Sequence, residues 1–198
     1  MSRPRIFLLS PAHCGGKRAA ILLRPDAVFD LAQQLRSPIG APLGDVFSFL
    51  SGLYFRGKMA YASRFSQPPP DAPPALVITT NRGLLRPEVR VGPAELQSFG
   101  VVTIDPRDDR YRVPLLEDVA RVAAAADCDF VLLGSIANPK YVALLTEVLG
   151  ERLLFPEPFP GMGDMQRGAL MLRSARSGEE LPYLPVMGAV LSRARSRA

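Results

Sequence analysis

Short apolar segments alternate with longer helical patterns along this chain, and this alternation constrains the fold more than any other feature of the sequence. Residues 5–10, 75–80 and 130–133 are apolar runs that fit buried parallel strands. The stretches between them carry apolar residues at helical spacing. Strands that alternate with helices predict a parallel sheet with right-handed crossovers and helices on both faces. We therefore predict a three-layer α/β/α fold with a mostly parallel central sheet.

The same patterns predict the remaining elements. Further strands are expected at 101–105 and 152–155, and helices at 26–35, 46–65, 114–126, 141–149 and 164–173. Asp26 is placed to cap the first of these helices, Gly52 and Gly57 interrupt the second, and Pro114 fits the first turn of the third. The proline-rich stretch 67–74 predicts a stiff surface connector. Ligands of such folds bind beyond the carboxyl ends of the strands, so the loops at those ends are the candidate site.

Length and composition predict one soluble domain. With 198 residues and 47% hydrophobic content, we expect a single domain over 1–198, with a core at about 5–175 and a basic tail at 176–198. No apolar stretch approaches the roughly 20 residues that cross a bilayer, so no membrane partner is expected. The two cysteines lie far apart and no secretory signal precedes the first apolar run, which predicts a cytoplasmic protein. The sequence leaves the oligomeric state open.

The charge of the chain favours a polyanionic partner. The net charge of +5 comes almost entirely from arginine, whose planar guanidinium matches phosphate groups and guanine edges. A GC-rich genome that encodes arginine in place of lysine would give the same composition. Charge therefore supports a nucleic-acid partner only in combination with other features.

The loop after the first strand concentrates polar residues. It contains His13, Cys14, Gly15, Gly16 and Lys17, a set that fits an anion cradle because glycines let backbone amides approach a phosphate. The spacing of a nucleotide-binding P-loop is absent. A nucleophilic Cys14 would need a base, and His13 cannot easily aim at its direct neighbour, so a packed thiol is the favoured interpretation.

Metal and acyl-transfer chemistry are not expected. One histidine and two separated cysteines do not make a closed zinc site, and we expect neither a metal nor another cofactor. Ser135 follows Gly134, but no Gly-x-Ser-x-Gly nucleophile elbow occurs.

Two further loops carry candidate binding residues. Asn81 and Arg82 follow the strand 75–80, where they would contact a base edge or a phosphate, although Asn and Gly are also ordinary turn residues. Gly161, Gly163 and Gln166 surround a predicted helix N-terminus that is compatible with phosphate. Asp164 at that position fits a helix cap first and a catalytic carboxylate second.

Four segments in this order carry a family resemblance. They are Cys14-Gly15-Gly16-Lys17, residues 53–62 with the sequence LYFRGKMAYA, residues 80–85 with TNRGLL, and residues 161–166 with GMGDMQ. Over residues 5–175 the chain resembles small bacterial and phage proteins related to the uracil-DNA glycosylase superfamily, including domains of deazaguanine tRNA-modifying enzymes. A phage-defence DNA glycosylase that removes hypermodified bases belongs to the same broad group.

The resemblance has departures that bear on the substrate. The similar proteins have Cys-Gly-Lys-Lys in the first motif and Ser-Ala-Lys-x-Gly-Leu-Leu in the third. Here the first motif has an extra glycine, an arginine replaces or shifts the lysine of the third, and the water-activating motif of true uracil glycosylases is not visible. These departures argue against uracil and for an unusual or modified base.

The resemblance implies a nucleobase pocket at the strand ends, with a flipped nucleotide and no cofactor. Asp105 and Asp164 would be the catalytic carboxylates, and Asn81 would recognise the base. Phosphates would be held by Lys17, Arg82, Lys140 and Arg167, with Ser135 and Asn138 on the rim. The function expected from it is a DNA glycosylase, with anti-phage defence as one role.

Two alternatives stay open at this stage. One is a nucleic-acid-binding module that kept the fold and lost the chemistry. The other is an enzyme that acts on a free nucleotide or nucleoside. The sequence does not name the base and does not separate DNA from RNA.

Overall fold

The computed structural model describes residues 3–137 and 139–189. Its elements in chain order are β1 (Arg5–Leu9), α1 (Lys17–Leu23), α2 (Asp30–Arg36), β2 (Ala41–Pro42), α3 (Leu43–Ser51), α4 (Leu53–Phe65), β3 (Ala75–Ile78), β4 (Leu84–Leu85), β5 (Arg90–Val91), α5 (Pro93–Val101), α6 (Asp109–Ala125), β6 (Asp129–Leu133), α7 (Pro139–Leu149), β7 (Leu153–Pro156), α8 (Asp164–Ser177) and β8 (Tyr183–Pro185). A single 3-10 turn at Gly150–Arg152 joins α7 to β7.

The central sheet has six strands in the order β4-β3-β1-β6-β7-β8. β3, β1, β6 and β7 are parallel, whereas the two edge strands β4 and β8 run antiparallel to their neighbours. β2 and β5 form a separate antiparallel pair. The prediction of an α/β fold with a mostly parallel sheet is confirmed.

The alternation of side chains along the strands divides the core between the two faces of the sheet. In β1, Phe7 and Leu9 join one buried cluster with residues of α1 to α5 and α8. Ile6 and Leu8 join a second cluster with residues of α6 and α7. Because successive side chains of a strand point to opposite faces, helices cover both sides of the sheet.

The strand order places a crevice beside β1. The chain leaves β1 through the helices of one face to reach β3, but it leaves β6 through α7 on the other face to reach β7. Connections that depart from neighbouring strand ends in opposite directions leave a gap at those ends, where α/β proteins bind their ligands. Here the gap lies between the residues that follow Leu9 and Leu133.

Two predictions near the start of the chain differ from the structure. Lys17 was placed in a loop but is the first residue of α1. Asp26 does not cap a helix, because α2 begins only at Asp30 and the Asp26 carboxylate instead pairs with the Arg24 guanidinium. Short polar side chains serve as turn partners as readily as helix caps, and the sequence pattern did not distinguish the two roles.

The predicted helix at 46–65 is two helices, α3 and α4, which meet at Gly52. Gly52 has a φ of +60°, a left-handed conformation that favours glycine. Gly57 was also predicted to interrupt the helix, but it lies within α4 and is buried. Its role is a close contact with another helix, which is described below.

The predicted strand at 101–105 is wrong. Val101 is the last residue of α5, whose start is fixed by Pro93 and by a hydrogen bond from the Gly92 amide to Glu95 Oε2 of 2.7 Å. Residues 102–108 are a loop, so Asp105 does not end a strand.

Pro114 was predicted in the first turn of its helix but lies inside α6. The helix begins earlier because Asp108 accepts a hydrogen bond of 3.0 Å from the Arg110 amide at its N-terminus. A proline inside a helix removes the hydrogen bond to the carbonyl four residues before it, and its ring crowds that carbonyl.

The sheet continues past residue 175, where the sequence predicted only a basic tail. β8 adds a strand beside β7, and it is held by a polar network. Glu180 accepts hydrogen bonds from Arg5 and Tyr183, each of 2.6 Å, and the Tyr183 hydroxyl lies 2.8 Å from that of Tyr61. The last part of the predicted tail, 190–198, lies outside the described residues.

Candidate functional site

A polar cavity of about 430 Å³ opens in the crevice between the ends of β1 and β6. Hydroxyl, imidazole and carboxylate groups contribute to its wall. Its lining consists of Ser10, Pro11, His13, Leu50, Ser51, Tyr54, Ile104, Ser135, Tyr141 and Asp164. Because its volume falls in the range of about 300–1,000 Å³ of small-ligand pockets, it can enclose a compact polar molecule.

A buried lysine lies directly behind this wall. Lys58 of α4 is 1% exposed, and its ammonium donates hydrogen bonds to Ser10 O at 2.9 Å and to Ser10 Oγ at 2.7 Å. Burial lowers the pKa of Lys58 to about 7, an effect that Asp164 opposes and Arg167 reinforces. A lysine in this environment carries its proton only weakly near neutral pH.

Tyr54 links the lysine to the cavity. Its ring centroid lies 3.9 Å from Lys58 Nζ, an arrangement that stabilises the protonated form of the lysine. Its hydroxyl is buried and makes no hydrogen bond with the described residues. Burial raises the pKa of Tyr54, with Arg167 partly offsetting it. Tyr54 therefore contributes its ring to the wall, whereas its hydroxyl lies in the interior near Arg167.

Ser135 and Tyr141 form the opposite wall. The Tyr141 hydroxyl accepts a hydrogen bond of 3.2 Å from the Ser135 amide and donates one of 3.1 Å to the Ser135 carbonyl. Gly134 lets Ser10 approach them, because a Cβ on Gly134 would lie 2.9 Å from Ser10 Cβ and 3.2 Å from the Tyr141 hydroxyl. A side chain at position 134 would therefore push these groups apart.

Asp164, the first residue of α8, supplies the carboxylate of the site. The side chain is 69% exposed and lies 3.2 Å from the buried guanidinium of Arg167. Arg167 also donates to the Phe159 carbonyl at 3.3 Å, which fixes its position. Arg167 was predicted to hold a phosphate. Arg167 is only 6% exposed, and it orients the Asp164 carboxylate from a buried position.

The rest of the helix N-terminus is explained by capping. Gln166 Oε1 accepts a hydrogen bond of 2.9 Å from the Gly163 amide, so the side chain predicted to hold phosphate already satisfies the backbone. Gly161 has a φ of +82° and forms the turn before α8. Of this predicted group, the described lining of the cavity includes only Asp164.

The glycine loop contributes one wall residue through its histidine. His13 is exposed and lines the cavity, while Gly15 and Gly16 pack against its ring. Lys17 is exposed at the start of α1. Cys14 is buried, and its thiol donates to the Ala12 carbonyl at 3.5 Å. Burial raises the pKa of Cys14 to about 12, which agrees with the interpretation as a packed thiol.

Asp105 lies beside the cavity but not in it. Its neighbour Ile104 lines the wall, whereas the Asp105 carboxylate accepts hydrogen bonds of 3.0 and 2.7 Å from Arg107. These bonds lower the pKa of Asp105 to about 2. Lys140 is exposed near the start of α7 and also lowers it. Asn138, which was predicted on the rim, lies outside the described residues.

Asn81 and Arg82 are engaged away from the cavity. The Asn81 amide donates to the Ser98 carbonyl at 3.2 Å, and Arg82 pairs with Glu95 at 2.5 Å. Neither belongs to the described lining of the cavity. The fold thus brings together Ser135, His13 and Asp164 among the predicted residues and leaves these two outside.

The sequence reasoning missed Ser10, Tyr54, Lys58 and Tyr141. A signal for Lys58 existed, because it shares one face of α4 with the buried residues Tyr54, Tyr61 and Phe65 at helical spacing. A charged residue on an apolar helix face is rarely buried without a specific role. The segment was predicted as an interrupted helix, and the lysine was not singled out.

Neither a metal site nor a membrane-spanning helix is found among the described residues. Among the described residues, no group of three or more His, Cys, Asp or Glu side chains could hold a metal ion. Within the same part of the chain, no helix is long and apolar enough to cross a membrane.

Comparison with protein-family models, curated proteins and solved structures found no match to this chain. The proposals below therefore depend on the sequence motifs and on the geometry of the cavity.

Proposed function

We propose that this protein is a glycosylase that hydrolyses the bond between a sugar and an unusual or modified nucleobase in a nucleic acid, with DNA as the favoured substrate. The observation that carries the proposal is the position of Asp164. It is an ionisable carboxylate, oriented by Arg167, on the wall of a polar cavity at the strand ends. The resemblance of four motifs to the uracil-DNA glycosylase superfamily supports the same reaction and a related fold.

The cavity suits a base that has left the stack. Its aromatic and hydroxyl groups offer stacking surfaces and hydrogen bonds to a base. The flipped base would lie against Tyr54, Tyr141 and Ser10, with its sugar toward the exposed carboxylate of Asp164.

Asp164 would perform the central electrostatic task. Cleavage of an N-glycosidic bond develops positive charge on the sugar, which a nearby carboxylate stabilises. The same carboxylate would orient a water molecule and accept its proton as the water attacks the sugar carbon. The exposed position of Asp164 lets water reach it, and the contact of 3.2 Å with Arg167 orients the carboxylate.

Exposed cations around the strand ends would contact the phosphates. Lys17 and Arg18 begin α1 next to the histidine loop, and Lys140 begins α7 on the other side of the crevice. Each would neutralise a phosphate of a bound strand, in agreement with the net charge of +5. Arg82 is already paired with Glu95 and would contribute less.

The experiment that tests the proposal is a survey of substrates. Purified protein is incubated with a panel of genomic DNAs that includes phage DNAs with modified bases. Alkali-labile abasic sites and free bases are then measured, the bases by mass spectrometry. Release of one base from one DNA establishes the activity and names the substrate. Selective release from phage DNA would further support a role in anti-phage defence, in the cytoplasm of the host.

Two other outcomes correspond to the alternative functions. Tight binding that weakens steeply with salt, without release of a base from any DNA or RNA, indicates a binding module. Cleavage of free nucleosides or nucleotides, with weak and salt-insensitive binding to polymers, indicates an enzyme for small molecules. The size of the cavity, which can enclose a whole small ligand, is the observation in favour of this last function.

A further inference from the structure

Lys58 is a buried ammonium group without a carboxylate partner. None of the ion pairs among the described residues includes it. Its ammonium makes two hydrogen bonds to Ser10 and lies over the rings of Tyr54 and Phe55, at 3.9 and 5.3 Å from their centroids. Burial of a charge with so little compensation is costly, and a methionine would fill the same space without that cost. This cost points to a chemical role.

Ser10 connects Lys58 to the cavity. Its Oγ accepts the hydrogen bond from Lys58 at 2.7 Å and donates one to the Leu133 carbonyl at 3.2 Å. Ser10 also lines the cavity, whereas Lys58 does not. The Leu133 bond is at the long end of hydrogen-bond distances, so the hydroxyl proton can turn toward a ligand.

On the basis of the proposed function, we propose that Ser10 is the catalytic residue that protonates the departing base and that Lys58 is the positioning residue that orients Ser10 and replaces its proton. The pair would form a two-step proton relay from the buried interior to the cavity. Asp164, on the exposed side, would serve the sugar.

The bond between the sugar carbon and the base nitrogen breaks, and its electron pair stays on the base. The Ser10 hydroxyl proton moves to the base, and a Lys58 ammonium proton moves to Ser10 Oγ. Water adds to the sugar carbon and gives its proton to Asp164. Transfer of that proton through solvent back to Lys58 restores the starting state, with one water consumed.

Four groups on three helices surround Lys58 and its partner Ser10. Tyr54 stacks on it from its own helix, and Asp164 and Arg167 act on it from α8 with opposite signs. Tyr141 of α7 reaches Ser10 from the other wall. Burial dominates these contributions and brings the pKa of Lys58 to about 7, where an ammonium gives up its proton readily.

The test compares the rate of base release with the titration of Lys58 in the same protein. The chain has three lysines, so a sample with 13C-labelled lysine gives three side-chain signals, and Lys17→Arg and Lys140→Arg assign the other two. Single-turnover rates are measured from about pH 6 to about pH 9. We expect the rate to fall by up to tenfold per pH unit above the measured pKa of Lys58, because the relay needs the ammonium.

Variants separate the relay from a structural role. Ser10→Ala should lower the rate by about 100-fold or more, while Ser63→Ala on the exposed face of α4 should leave it unchanged. Lys58→Arg keeps its charge at every pH tested but does not release a proton to Ser10, so its rate should be low and should not fall further as the pH rises. If Lys58 only supported folding, its replacement by arginine would leave the dependence of the rate on pH unchanged.

A failure of the proton relay can be distinguished from a failure of the proposed glycosylase function. Base release by the wild-type protein with an undiminished rate in Ser10→Ala overturns the relay and leaves the glycosylase in place. A fall in rate that does not coincide with the Lys58 titration overturns it as well, and this measurement needs no variant. If the wild-type protein releases no base from any substrate, the glycosylase and the relay fail together.

Discussion

Gly57 of α4 and Gly168 of α8 face each other at backbone contact distance. A Cβ on Gly57 would lie 2.6 Å from the Gly168 carbonyl oxygen, and a Cβ on Gly168 would lie 2.8 Å from Tyr54 Cα. This contact seats the helix that carries Asp164 against the helix that carries Lys58. The geometry of the candidate site therefore depends on two residues that have no side chain.

Gly168→Ala is expected to destabilise the protein. The new methyl group would meet the backbone of Leu53 and Tyr54, which cannot move without shifting α4. Overpacking of this kind costs about 1–3 kcal/mol, which exceeds the gain of up to about 1 kcal/mol in helix propensity. Urea unfolding measures the change. Gly188→Ala, where a Cβ would meet nothing within 4 Å, is the control.

Gly134→Ala should reduce base release more than it reduces stability. The added methyl group would displace Ser10 and Tyr141 from their present positions, and a displacement of about 1 Å in an active site lowers rates by about 10- to 100-fold. Gly188→Ala, in open space, should retain the wild-type rate. Equal rates in the two variants would contradict the assignment of this wall to the site.

Asp164→Asn and Asp105→Asn are expected to differ. The first removes the charge that lines the cavity and should lower the rate of base release by about 100-fold or more. The second removes a carboxylate that pairs with Arg107 on an exposed loop and should have a small effect on rate and stability. Steady-state rates on the substrate found in the survey measure both. A larger loss in Asp105→Asn would reverse the assignment.

Stability should depend on pH through Lys58. Its pKa in the folded protein is about 7, below its ordinary value of 10.5, so the unfolded chain binds more protons between these values. The free energy of unfolding should therefore rise with pH, by about 1.4 kcal/mol per unit between about pH 7.5 and 9 from this group. Lys58→Met should remove that slope. Urea unfolding at several pH values tests it, and identical slopes in the two proteins would refute the prediction.

The two thiols should be unreactive in the folded protein. Cys14 is 6% exposed and Cys128 is 0% exposed, and burial raises the pKa of both thiols. A disulfide exchange reagent at about pH 8 should modify them only as fast as the protein opens, and rapidly in denaturant. Immediate reaction of Cys14 in the native state would restore it as a candidate nucleophile.

The sequence determined the fold class through its periodic pattern. Short apolar runs such as residues 5–9 and 130–133 fit strands of a sheet buried on both faces, and the helical stretches between them fit the crossovers. The pattern failed at Val101, because a β-branched residue fits the last turn of a helix as well as a strand. It failed again beyond residue 175, where an edge strand shows little periodicity.

The site was determined by the sequence only in part. The motifs identified His13, Ser135 and Asp164 because polar residues after strands converge at one edge of a parallel sheet. Only the tertiary structure brought Lys58 to Ser10, which lies 48 residues earlier in the chain. That meeting depends on the packing of α4 across the sheet and against α8. Local patterns specify elements, whereas the charge, burial and distance that define a site arise when distant elements pack together.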